Sequence, residues 1–287
     1  MEKLVARMQE VLEAGFMRHG EGLTLVGKLQ FTLSWAFGRV GRAAIHLLRD
    51  VDGQPITSAT RAAIVFLCLL LPSLPPRKMS LRDAQRPPSL LFTDACYSRS
   101  SSGVEKAGVG FVLGTPKPGA PIRAVERSVT DYDWVAGSAD VPQSLLDAFR
   151  PRKQQIGVAE LLAAAVPYST CPDLLSSRQV LQWIDNTGAL CSIVKGFAGA
   201  DDAARIVFSF HDMSCRLDSR IWCEYVRSAA NVSDLPSRGD LQQVLDLLNA
   251  KERTVKWPSL QAWDISQIPG VEAAVSGAEA APAIARR

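Results

Sequence analysis

The sequence predicts an α/β protein with a mixed five-stranded sheet flanked by helices, preceded by a helical N-terminal segment. Three observations carry this. From residue 89 onward, short apolar runs alternate with helical patterns. Three of the strands precede the first helix, which calls for an antiparallel meander. The later strand–helix alternation calls for parallel additions, so the sheet is expected to be mixed. Immediately upstream, LPSLPPRKMSLRDAQRPP places five prolines in 18 residues, a linker signature. The expected organisation is a helical segment over 1–72, a Pro-rich linker over 73–88, the α/β domain over 89–250 and a largely disordered tail over 251–287.

In order along the chain, residues 27–49 read as one long helix. Leu33, Phe37, Val40, Ala44 and Leu48 form an apolar stripe at spacings of three and four, and Arg39, Arg42, His46 and Arg49 fall opposite. That basic face fits either a solvated surface or a helix lying along a nucleic-acid backbone. Gly38 and Gly41 each weaken the helix by about 1 kcal/mol relative to Ala, which hints at close approach of another backbone. A second helix covers 58–71. SLLFTDA (89–95), AGVGFVL (107–113) and IRAVERSV (122–129) are the first three strands, and 130–153 reads as an irregular excursion. IGVAELLAAAVPY is then a helix, RQVLQWID a fourth strand, and TGALCSIVKGF and DDAARIVFSFHDMSCRL two helices. RIWCEYVRSA is the fifth strand and SDLPSRGDLQQVLDLL a last helix.

Composition narrows the function classes. With 47% hydrophobic and 21% charged residues, the chain is ordinary globular material, neither disordered nor a coiled coil. Residues 1–89 carry 12 Lys/Arg against 7 Asp/Glu, whereas the remainder carries 20 against 22. A basic arm thus precedes a slightly acidic body, which suits an arm that meets phosphates and a body with a carboxylate site. The six cysteines have no zinc spacing and are too sparse for a disulfide scaffold. The longest apolar run, Ala62 to Leu71, is about half of the roughly 20 residues that a membrane span needs, and the N-terminus is no signal peptide. The expectation is an intracellular protein, cytoplasmic or nuclear, without a membrane partner.

Four acids stand where folding does not require one. Asp94 closes the first strand, Glu160 interrupts an Ala/Leu-rich helix, Asp185 ends the fourth strand and Asp234 opens the last helix. Singly, each fits a structural role: a turn cap, a surface helix residue, a loop opener, a helix N-terminal charge. Together they could converge at one sheet edge. Carboxylates so grouped repel unless cations neutralise them, and an all-oxygen donor set favours Mg²⁺ or Mn²⁺. Two such ions about 3.5–4 Å apart support phosphodiester cleavage.

LLFTDAC, the Glu160 helix, WIDNTGAL and VRSAANVSDLPSR resemble the ribonuclease H region of reverse-transcribing retroelements, including the DIRS type. GKLQFTLSWAFGRVGRA resembles the thumb or connection segment that follows the polymerase palm in those elements. The resemblance implies a ribonuclease H-like fold and a metal-dependent endonuclease that hydrolyses the RNA strand of RNA–DNA hybrids with two Mg²⁺ or Mn²⁺ ions. It further implies Asp94, Glu160, Asp185 and Asp234 as catalytic metal ligands. Asn186 and Thr187 would line the site, Asn231 and Ser233 would orient the last helix or touch substrate, and Arg227 and Arg238 would reach phosphates. Arg39 and Arg42 would add backbone affinity, and the polymerase part of a reverse transcriptase would be a partner.

Three features depart from that family's pattern. The loop before the fourth acid, Ser228-Ala229-Ala230-Asn231, lacks the His that many members carry, and His211 is expected to be structural. The excursion at 130–153 stretches the interval between Asp94 and Glu160. The only Asp-Asp pair, Asp201-Asp202, lacks the Tyr-x-Asp-Asp context of a polymerase. Two other functions stay open on the sequence: a catalytically silent ribonuclease H-like module that binds nucleic acid or protein, and a nuclease of the same fold acting on DNA, as in resolvases and integrases.

Overall fold

The computed structural model describes residues 1–34, 39–49, 51–73, 86–101, 103–152 and 155–260, which fall into two compact units dividing between 73 and 86. Most of the Pro-rich linker, Phe37 and Gly38 of the expected long helix, residues 153–154 of the excursion and 261–287 of the tail lie outside the described residues. No described helix is long and apolar enough to cross a membrane.

The first unit is helical: α1 (Glu2–Ala14), α2 (Glu21–Ser34), α3 (Arg42–Leu47) and α4 (Ser58–Ser73). Met8, Leu29, Ala44, Ile64 and Leu67 form its fully buried centre. Asp52 accepts from the amides of Gly20 and Gly22 at 2.9 and 2.8 Å, closing the N-terminus of α2. The helix expected over 27–49 is two helices, since α2 ends at Ser34 and residues 39–41 are turns. Gly41 marks a close approach, as anticipated, but of side chains: a Cβ there would collide with Leu33 and press on Leu70 and Leu67. The helix at 58–71 is present as α4.

The second unit holds a six-stranded mixed sheet in the order β5-β4-β1-β2-β3-β6. Its strands are β1 (Ser89–Arg99), β2 (Glu105–Pro116), β3 (Tyr132–Asp140), β4 (Gln179–Ile184), β5 (Arg220–Tyr225) and β6 (Lys251–Glu252). The first three run antiparallel in succession, while β4 lies parallel to β1, β5 parallel to β4, and β6 parallel to β3. The meander and the parallel additions match the sequence reading; the count of five strands does not. The two-residue β6 is too short to leave a periodic signal.

The third strand is also displaced from its expected place. IRAVERSV forms two 3-10 turns with Ile122, Val125 and Val129 exposed, and the strand is YDWVAGSAD. The alternation at 122–129 faces solvent on both sides. The small residues Ala136, Gly137 and Ser138, which read as a loop, are instead strand, with Ala136 and Gly137 buried on opposite faces and Ser138 half-buried. The excursion is therefore part of the sheet, followed by α5 (Gln143–Asp147).

Helices α6 (Ile156–Thr170), α8 (Thr187–Lys195) and α9 (Asp201–Arg216) build the main core on one face. Alpha-6 is buried all round because its Ala-rich surface lies between the sheet and α9. The short α7 (Pro172–Leu175) leads into β4. The last helix is two, α10 (Asp234–Ser237) and α11 (Leu241–Leu248), broken at Gly239 with φ 96°. Both lie on the opposite face, where Val112, Trp134, Ala136 and Val244 form a smaller core. Beyond β6, Arg253 N–H donates to Ala136 at 2.8 Å, and the carbonyls of Lys256 and Ser259 accept from Ser169 and Ser209 at 2.5 and 2.8 Å. Residues 251–260 thus strap the sheet edge and the α6–α9 face.

Alpha-10 sits directly on β2 because Gly108 and Gly110 carry no side chain: a Cβ on either would overlap the backbone of Ser237. The Ser138 hydroxyl donates to the Pro236 carbonyl, and Cys96 Sγ to that of Ser237 at 2.9 Å. Gly110→Ala should therefore cost about 2 kcal/mol by overpacking, read as a lower midpoint in urea at unchanged slope. A loss within about 0.5 kcal/mol, the range of ordinary surface substitutions, would mean that α10 is not held against the strand.

Candidate metal centre

The pairing of β1 with β4 ends at Thr93 opposite Ile184. The next residue of each chain is an acid, Asp94 and Asp185. Two residues earlier on the same faces, Phe92 and Trp183 stack with ring centroids 4.6 Å apart, so the acids stand above an aromatic floor. Glu160 enters from α6. Its rotation is fixed by the next two turns of its own face: the Ala164 carbonyl accepts from Gln182 Nε2 at 3.1 Å, and the Tyr168 hydroxyl donates to Gln182 Oε1 at 2.9 Å. One carboxylate oxygen from each of Asp94, Glu160 and Asp185 lies within 4.8 Å of the other two. Asp94 and Glu160 are only 3% and 5% exposed, and Asp185 is half-buried.

The electrostatics follow from that crowding. Burial pushes the Asp94 carboxyl up to about 7, opposed by the hydroxyl of Ser237 and reinforced by the charges of Asp185 and Asp234. Glu160 is pushed up to about 9, by burial first and by Asp94 and Asp185 next. Glu160 Oε2 and Asp185 Oδ1 are buried without a hydrogen-bond partner. Orphaned buried oxygens are costly, and two of them in one all-carboxylate cluster fit a hard cation such as Mg²⁺ or Mn²⁺.

Three of the four acids singled out in the sequence are brought together. The fourth, Asp234, stands at the rim on α10; its charge reaches Asp94 and Glu160, but its carboxylate is held by Arg238 at 2.9 Å. Arg238 is thus engaged with an acid of the site. Asn186 caps α8, accepting from Ala189 N–H at 3.0 Å, and Thr187 beside it is exposed, so both border Asp185.

Asn231 is 4% exposed and donates to the Thr93 carbonyl at 3.1 Å, while its Oδ1 accepts from Ser233. These bonds tie the loop before α10 to β1. Arg227 is exposed in that loop. Arg39 and Arg42 belong to the helical unit, half-buried and exposed respectively. His211 is buried in α9 with Nε2 at 2.9 Å from the Ile193 carbonyl, a structural position. Asp202 receives Arg152 through both carboxylate oxygens at 2.5 Å, and Asp201 pairs with Arg205 at 2.8 Å.

Sequence reasoning missed Ser237, which donates to Asp94 and to the Asp234 carbonyl and so links strand and helix at the site. The available signal was the alternate glycines of AGVGFVLG, which announce a backbone lying on β2. No protein-family model matches the chain, and no curated protein or solved structure does either.

The raised carboxyls make a pH prediction. Unfolded Asp and Glu titrate near 4, so the folded, metal-free state binds protons more tightly. This contribution to stability is complete below about pH 4 and is lost as pH rises through about 7 and about 9. The metal-free protein should melt at a lower temperature at pH 8.5 than at pH 5.5. Mn²⁺ at about a hundredfold over its dissociation constant should raise the melting temperature by roughly 5–10 °C at the higher pH, and less at the lower. In Asp185→Asn the response should vanish. Equal melting at both pH values with no response to Mn²⁺ would contradict the centre.

Proposed function

We propose that this chain is a metal-dependent endonuclease of ribonuclease H-like fold that hydrolyses the RNA strand of RNA–DNA hybrids, as the C-terminal part of a retroelement reverse transcriptase. The observation that carries the reading is the pair Asp94 and Asp185 on the first unpaired rung of two parallel strands, with Glu160 closing the group from α6. The mixed sheet, with acids following in chain order on β1, α6, the end of β4 and the start of α10, supports the same reading.

Asp94, Glu160 and Asp185 would hold the ions, with Asp234 available at the rim. Bound there, Mg²⁺ or Mn²⁺ would supply Lewis-acid activation of water and neutralise charge on the leaving oxygen. Asp94 and Glu160 would have to give up their protons to hold the ions, so metal affinity would rise with pH. Ser237 holds one oxygen of Asp94 and thereby directs the other. Asn186 and Thr187, next to Asp185 in the chain, would meet the substrate strand. Selectivity for a hybrid would rest on ribose 2′-hydroxyls displayed in a wide, shallow minor groove.

The test is cleavage of an end-labelled RNA–DNA hybrid in Mg²⁺ or Mn²⁺ beside an EDTA control. The expected result is metal-dependent cuts in the RNA strand that disappear in Asp185→Asn while hybrid binding persists. Cuts in an all-DNA duplex would transfer the reading to a DNA nuclease. A folded protein that binds hybrid but never cuts it would identify a silent module.

A further inference from the structure

The charge of the carboxylate cluster is balanced by a single side chain. Asp94, Glu160 and Asp185 each have an oxygen within 4.8 Å of the other two, and Asp234 stands outside that group. Among the described residues, Arg238 is the only Lys or Arg ion-paired with any of these four acids. Its Nε and one amino nitrogen both approach the same oxygen, Asp234 Oδ1, at 2.9 Å. The charge of Asp94 acts on the same guanidinium.

The backbone beneath this pair is fixed, whereas the pair itself can part. Between the two residues, Pro236 and Ser237 are buried, and the Ser237 hydroxyl ties α10 to Asp94 and to the Asp234 carbonyl. Gly108 and Gly110 let the same turn of helix rest on β2. Arg238 ends α10 four residues after Asp234, with the acid on the N-terminal side, the spacing and order that bring such a pair onto one face. The side chains are 62% and 34% exposed, so water competes for both charges and the bond is weak. Arg238 can therefore leave without moving the helix. A guanidinium and a divalent cation on one carboxylate also repel each other, so the two compete for Asp234.

We propose that Arg238 is an internal counter-ion of the metal centre: it holds Asp234 in the metal-free protein and must release it before Asp234 can act as a ligand. This rests on the metal-centre reading above and concerns metal affinity rather than hydrolysis. Arg238 is thus a positioning residue that acts through Asp234.

The experiment titrates Mn²⁺ into the full chain and follows the free ion by electron paramagnetic resonance, a signal that is lost on binding and needs no turnover. Wild type is compared with Arg238→Gln, Asp234→Asn and the double variant, and a thermal melt in EDTA checks that each is folded. Arg238→Gln should bind Mn²⁺ about threefold more tightly than wild type, the scale of an exposed ion pair. In the Asp234→Asn background the same substitution should change nothing. Arg238→Lys, which keeps the charge without the planar fork, should fall between wild type and Arg238→Gln. Equal or weaker binding by a folded Arg238→Gln overturns the proposal and leaves the metal centre standing. A gain that persists in full with Asp234→Asn makes Arg238 a remote charge and overturns it as well. Wild type that takes up no Mn²⁺ overturns the metal centre itself, and this proposal with it.

Discussion

Everything in the second unit is hung on β1, which is antiparallel to one neighbour and parallel to the other. A tight turn suffices for the antiparallel side. The parallel side requires long crossovers, and these deliver α6, α8 and α9 to one face of the sheet. The same strand must also outrun its parallel partner: β1 continues through Arg99 while β4 stops at Ile184. In the notch left where they part, side chains of both strands and of the crossover helix meet without a backbone rung between them. Carboxylates occupy it.

Holding them there takes polar structure that serves no other purpose in the core. Gln182 is fully buried, yet it bonds to Tyr168, to the Ala164 carbonyl and to Thr93, locking α6 to β4 and β1. Asn231 repeats the device from the opposite face of the sheet. Buried amides of this kind are stable only when satisfied, so they fix the relative rotation of the parts that carry Glu160, Asp94 and α10. The acids themselves work against folding, since one buried oxygen of Glu160 and one of Asp185 lack a partner and Asp94 and Glu160 are driven toward protonation. That conflict between local stability and the arrangement of charge is the physical mark of a site.

Much of this was legible in the sequence. Apolar runs that meet an acid, LLFTD and LQWID, and a lone Glu in an Ala/Leu helix were enough to find the three clustered carboxylates, although only Asp185 follows a strand end: Asp94, expected to close the first strand, lies in the middle of β1, which continues to Arg99. The meander and the later alternation gave the mixed sheet. What escaped had no periodic signal. The second half of β3 is Ala, Gly and Ser under covering elements, so it looks like a loop, while IRAVERSV has a strand's alternation without a sheet to pair with. Beta-6 is two residues long. The break between α2 and α3 and the break at Gly239 are set by tertiary packing and a positive φ, which an apolar stripe runs straight across. The engagement of Asp234 by Arg238 is a spacing of four within a helix, readable in principle, but its meaning depends on knowing that Asp94 lies opposite.

The strap formed by residues 251–260 has a consequence for how copies of this protein can meet. It covers the β3 side of the sheet with β6, whereas no described strand pairs with the outer side of β5, where Trp222 is exposed. Sheet edges are templates for joining further chains. A molecule with two open edges can add neighbours without limit and grow into a fibre, but one with a single open edge can join only the like edge of another copy, and that union is complete at two. A two-residue strand over part of β3 shortens what that side offers to a neighbour and leaves the six-residue β5 as the longer template.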